Sequence, residues 1–217
     1  ITAGSYYTTT FSIQAVGTGS SALTVSAPDW DSKTSSVITV VGPNLYADVT
    51  VGDGTRTTGY VTLTSGTAPT GGYTVNLTSD EPAIASVPAT VTIPAGSTMT
   101  NFTIVGQSIG TTVIRMSVSG FTEADTVTVV KPSFTWSWVP SQITLGATAN
   151  VRVNTSVPGG TSYSGASKYT DTNQAIDLAL TVSLSSENPA VIQIPATAAI
   201  TAGSYYTTTF SIQAVGT

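Results

Sequence analysis

Side chains able to bind or transform a ligand are few in this sequence, and their spacing limits what they can do. Asp29 and Asp31 flank Trp30 in the run APDWDSK. Hard cations require clustered oxygen ligands, so this pair is the one place where calcium is worth weighing, at a module boundary. Two carboxylates do not make an oxygen shell, and the expectation is no metal and no cofactor, with calcium at Asp29 and Asp31 as the alternative. Trp136 and Trp138 alternate along FTWSWV, which should turn both indoles to one side of a strand. Such a pair suits either a sugar-stacking platform or a contact between modules, and the contact is the preferred reading. Asp80-Glu81 before Pro82 and Glu187 before Pro189 occupy equivalent loop positions. Hydrolysis by paired carboxylates needs two acids about 5 to 9 Å apart across a cleft, and turn capping is the plainer role. The sequons at Asn76, Asn101 and Asn154 accept glycans only where the host has the machinery.

What is missing excludes more. The 217 residues contain no Cys and no His. Disulfides, thiolate or imidazole metal sites, Ser-His-Asp and Cys-His catalysis and imidazole general bases are therefore ruled out, and no enzyme is expected. Six basic residues (Lys33, Arg56, Arg115, Lys131, Arg152 and Lys168) stand against eleven acidic ones, for a net charge of −5. That balance repels a phosphate backbone, so nucleic acid is not a partner. No apolar run approaches the ~20 residues of a membrane span, and membrane insertion is not expected.

The elements that must position these residues read as strands. Tyr73, Val75 and Leu77 share one face and Thr74, Asn76 and Thr78 the other. Leu178, Leu180, Val182 and Leu184 form a second inward row, and Phe102 with Ile104, Ile114 with Met116, and Val127 with Val129 continue the pattern. Turn residues such as Asp53-Gly54, Gly71-Gly72, Ala95-Gly96 and Gly159-Gly160 separate the runs. About seven short strands per ~100 residues, without a helical period, predict an all-β immunoglobulin-like antiparallel sandwich.

Internal repetition sets the domain plan. Residues 200–217, ITAGSYYTTTFSIQAVGT, repeat residues 1–18 letter for letter at a period of 199. An older repeat relates residues 77–97 to 184–204 at an offset of 107, with eleven identities including Leu77/Leu184, Pro82/Pro189, Ile93/Ile200 and Gly96/Gly203. ITVVGP at 38–43 matches VTVVKP at 127–132 and marks the module ends. Two sandwich modules in tandem follow, the second split by the chain ends. Residues 1–41 hold the C-terminal strands of module B of a preceding repeat, residues 43–131 a complete module A, and residues 132–217 the N-terminal part of module B. Ile1, Phe11 and Ile13, with their copies Ile200, Phe210 and Ile212, then mark the segments at a polymer junction.

The strings SDEPAIASVPATVTIPAGS and SENPAVIQIPATAAITAGS, each followed by Phe-x-Ile, resemble bacterial immunoglobulin-like repeats found in tandem in giant extracellular or cell-surface proteins. The likeness is strongest over residues 73–106 and 180–217 and weakest over 159–177. It implies an extracellular or cell-surface location, a structural or adhesive role, and no conserved catalytic site. The leading expectation is a structural repeat of a fibre whose partners are copies of itself head to tail, with lateral fibre contacts or surface glycans as further partners. One alternative is an adhesin module that binds sugar or protein through Trp136 and Trp138 or the loop at 159–177. Another is a 22 kDa subunit that polymerises by strand complementation.

Overall fold

The computed structural model describes residues 5, 6, 8, 10, 11 and 13–216, and every regular element among them is a β-strand. Val, Ile, Thr and Tyr dominate these runs, and their branched or aromatic side chains fit a pleated surface better than a helix. The chain divides into two compact units, residues 1–42 with 119–121, and residues 43–118 with 122–217.

The first unit is a ribbon. Gly19–Ser21 pairs antiparallel with Ile38–Val40, and between them Thr24–Ala27 pairs with Trp30–Thr34 across a turn in which Asp29 takes φ 64°. Its apolar side chains Leu23, Val25, Trp30 and Val37 are all exposed. A two-stranded ribbon with no covering layer is marginal by itself.

In the second unit, residues 43–131 form two sheets around a shared core. One runs in the order Thr90–Ile93, Tyr73–Ser79, Gly110–Val118, Phe121–Val130, Val49–Gly52. The last neighbour is parallel, Val127 facing Val49 and Val129 facing Val51. The other sheet places Thr55–Thr62 between Asn44–Tyr46 and Met99–Gly106, with Ala85–Ser86 beyond. Val75, Leu77, Ile104, Ile114, Met116, Val127 and Val129 are buried, as alternation required. A Cβ on Gly59 would lie 2.6 Å from Phe102 Cζ, so the strand must carry glycine where the aromatic ring crosses it.

Residues 132–216 repeat part of this plan in the same registers. Thr90 faces Asn76 and Ile93 faces Tyr73; correspondingly Thr197 faces Ser183 and Ile200 faces Leu180. Gly106 faces Ala85, and Ala214 faces Ile192. Leu77 N–H donates to Ala89 and Leu184 N–H to Ala196, at 2.9 and 2.8 Å. Leu45 faces Val61, and Trp136 faces Val153. Ladder pairing stops at Val130 and resumes at Ser133, either side of Pro132, which has no N–H to donate.

The second inward row differs from expectation. Val182 is buried with Ile176 and Ile200, and Leu184 packs at the edge of that cluster. Leu178 and Leu180 are 77% and 40% exposed. Tyr73–Ser79 has ladder partners on both sides, whereas among the described residues Leu180–Ser183 pairs with Thr197–Ile200 alone, which leaves its other flank open.

Candidate assembly interface

The contrast between a closed and an open half identifies the site. On the strand Ser133–Ser137, Trp136 holds the position that Leu45 holds in the first half. Leu45 is buried, and Trp136 is 50% exposed, its ring edge-on to Phe210 at 6.1 Å. Two clefts flank the indole. One, of about 350 Å³, runs to Leu180, Val182 and Leu184. The other, of about 460 Å³, runs to Val151, Ile192 and Ile212. Val182, Leu184 and Ile212 among these residues have fully or nearly fully buried first-half counterparts in Val75, Leu77 and Ile104.

Trp138 does not share this side. The strand ends at Ser137, and Trp138 takes φ 64°, which breaks the alternation and turns its indole onto Arg152, the residue facing Ser137. The Arg152 guanidinium lies 4.2 Å from the Trp138 ring and 4.5 Å from the Tyr206 ring, a cation held between two aromatic faces. Asn154 donates to Ser137 Oγ at 2.7 Å and is itself buried.

The loop at 159–177 is turned inward as a brace. Ala175 and Ile176 add a short strand to the first half's sheet, facing Arg56 and Thr55. Gln174, fully buried, donates through Nε2 to Thr50 O at 2.8 Å and accepts through Oε1 from Gly52 N and Thr55 Oγ1 at 3.0 and 2.9 Å. Thr161 accepts from Thr50 N through its hydroxyl and from Thr57 Oγ1 through its carbonyl. A polar loop gave no sign of this in the sequence, because the partners lie more than a hundred residues away.

The acidic candidates do not converge. Asp80 receives Arg115 Nε and Nη2, each at 2.7 Å, and this bidentate hydrogen bonding holds its pKa below the ordinary carboxylate value. Glu81 closes the adjoining turn, its carbonyl accepting from Ile84 N. Glu123 and Asp125, not singled out by the sequence, accept from the backbone N–H groups of Leu45 and Ala47 at 2.6 and 2.7 Å. Burial raises the Glu123 pKa. Asp29 lies in its hairpin turn, and among the described residues no three acidic groups gather where a metal would sit.

Of the junction residues, Ile1 lies outside the described residues. Phe11 and Ile13 are 77% and 59% exposed and belong to no strand. Their copies Phe210 and Ile212 lie on the strand Phe210–Ala214, with Ile212 buried, and Ile200 is fully buried.

No protein-family model matches the chain, and no curated protein matches it. Among solved structures it is similar to domains 4 and 5 of the S-layer protein SbsC, at 25% identity over 52% of this chain and 58% of that one, with a TM-score of 0.28. It is also similar to SbsC domains 4–9, at 17% identity over 92% of this chain and 35% of that one, TM-score 0.35. A third match, to SbsC domains 5–6, has 17% identity over 81% of this chain and 100% of that one, TM-score 0.33. The chain thus spans less than two thirds of the first two structures, and scores this low do not establish a shared fold.

Proposed function

We propose that this chain is a structural repeat unit of an extracellular or cell-surface filament, built from immunoglobulin-like sandwiches in tandem that hold copies of one another head to tail. The observation that carries this reading is that both halves of residues 43–216 pair in one register while only the first is closed. In the first half a two-sheet core and an early strand, Val49–Gly52, parallel to the last suit an immunoglobulin-like sandwich. The sequence able to close the second half stands at residues 19–41. Residues 200–217 copy residues 1–18, which run directly into that stretch. The buried Gln174 brace ties the two halves together, as a strut under tension needs.

The test is the native material. A very high mass on a fully denaturing gel is the result expected of a covalent fibre; a 22 kDa band on that gel, from material that forms filaments, assigns the polymer to strand complementation. Electron microscopy should show thin, unbranched filaments with an axial repeat on the order of 70 to 80 Å, two globules of about 100 residues in series. Discrete 22 kDa monomers overturn the filament and leave an adhesin that offers its exposed aromatics to sugar or protein.

A further inference from the structure

Resting on the filament reading, we infer that the open flank of the second half is closed by residues 19–41 of another copy of this chain, in a register that the first half already displays. In the first half, Gly110–Val118 lies antiparallel against Tyr73–Ser79 with Ile114 facing Ser79, Arg115 facing Thr78 and Met116 facing Leu77. Residues 19–27, GSSALTVSA, match GTTVIRMSV at 110–118 position by position: Gly19 with Gly110, Leu23 with Ile114, Val25 with Met116 and Ser26 with Ser117. Ile114 and Met116 are fully buried, whereas Leu23 and Val25 are exposed. Carried through the 107-residue offset, the incoming strand sets Leu23 opposite Ser186, Thr24 opposite Ser185 and Val25 opposite Leu184. Val25 then sits over the half-covered Leu184 and beside the cleft at Trp136 and Leu180.

A second strand gives the same answer independently. ITVV at 38–41 matches VTVV at 127–130, the strand parallel to Val49–Gly52. The second half repeats VTVG as ITLG at 143–146, yet that stretch forms no strand and Leu145 is exposed. A parallel edge strand has no ladder without its neighbour. Ile38 beside Ile143 and Val40 beside Leu145 supply it, in the register of Val127 with Val49 and Val129 with Val51.

The chain has no Cys, so engineered thiols report without background. Thr24→Cys and Ser185→Cys are made in separate full-length chains, mixed and oxidised. Both positions are exposed, and their first-half counterparts, Arg115 and Thr78, face outward. Residues directly opposite on antiparallel strands are close enough for a disulfide. The expected result is a mixed disulfide dimer formed at least about tenfold faster than with Thr181→Cys, which lies on the same face roughly 13 Å further along the strand. Adding Val25→Asp to the Thr24→Cys chain should suppress the dimer by a similar factor. Equal rates at Ser185 and Thr181 overturn the register. Closure within single chains of a Thr24→Cys/Ser185→Cys double variant, without mixed dimers, overturns the second copy as occupant. Sedimentation separates the two claims. Self-association without the specific disulfide overturns this inference and leaves the filament standing; no self-association at any concentration overturns it too, and the filament is then decided by the mass of the native material.

Discussion

The same eighteen letters occur twice in this chain with different outcomes. At 200–217 they give a buried Ile200, a fully buried Thr207 whose hydroxyl accepts from Val153 N at 3.1 Å, and a strand in which Phe210 faces Val151 and Ile212 faces Ala149. At 5–18 the described residues form no strand before Gly19, and Phe11, Ile13 and Val16 are exposed. Propensity is identical at every position, so it is not what makes a strand here. What differs is the presence of Thr148–Ser156 and Ile192–Gln193, which supply ladder partners and a surface to bury against. The two halves of residues 43–216 repeat the lesson at larger scale: VTVG is a strand beside Val127–Val130 and ITLG, without such a neighbour, is not.

Matched substitutions in the two copies test this directly. Ile212→Ala should cost about 2–5 kcal/mol, the usual range for a buried aliphatic, while Ile13→Ala should stay within about 0.5 kcal/mol. Urea denaturation of both variants measures the difference, and equal midpoints would show that the first copy is buried as well. Thr207→Val keeps the volume but removes the acceptor for the buried Val153 N–H, for about 1–3 kcal/mol, whereas Thr8→Val should change little. Conversely, if residues 1–18 of one chain compete for the slot of 200–217 in another, both effects should shrink as protein concentration rises.

The smallest effect separates the halves by pH. Asp80 is paired with Arg115 on the neighbouring strand, while its counterpart Glu187 faces a flank where Thr24, not an arginine, is the residue matched to Arg115. Hydrogen bonding to Arg115 lowers the folded-state pKa of Asp80, so its contribution is present above the ordinary value of 3.8 and is lost as pH falls through the lower, folded value. Glu123 works in the opposite sense. Burial raises its pKa, and stability from that group declines as pH rises through its ordinary value of 4.5 to the raised one. Melting temperatures from about pH 5 to pH 2 should therefore fall less in Arg115→Gln than in the parent chain. A parallel loss in both would remove Asp80 from the account.

Much of the architecture was legible in advance. Alternation identified Val75, Leu77, Ile104, Ile114 and Met116 as core, because a two-residue period leaves a strand only two faces. The 107-residue repeat carried the registers of the second half, down to Leu184 N–H donating where Leu77 N–H does. Trp138 departs from the expected side, since alternation holds only while the backbone stays extended, and its φ of 64° lies outside that region. Glu123, Asp125 and Gln174 left no local signal, because each serves backbone groups tens to more than a hundred residues away.

By itself, then, the sequence determined the all-β class, the strand-forming stretches, the turns between them and which repeat matches which, all of them properties of neighbouring letters or of direct comparison. The tertiary structure decided which of those stretches are strands: Phe210–Ala214 but not the described residues of its copy at 11–15, Val49–Gly52 but not residues 143–146. It also decided that the loop at 159–177 braces the two halves. A β-ladder is a non-local bond, and a segment competent to form one remains uncommitted until another strand is brought beside it.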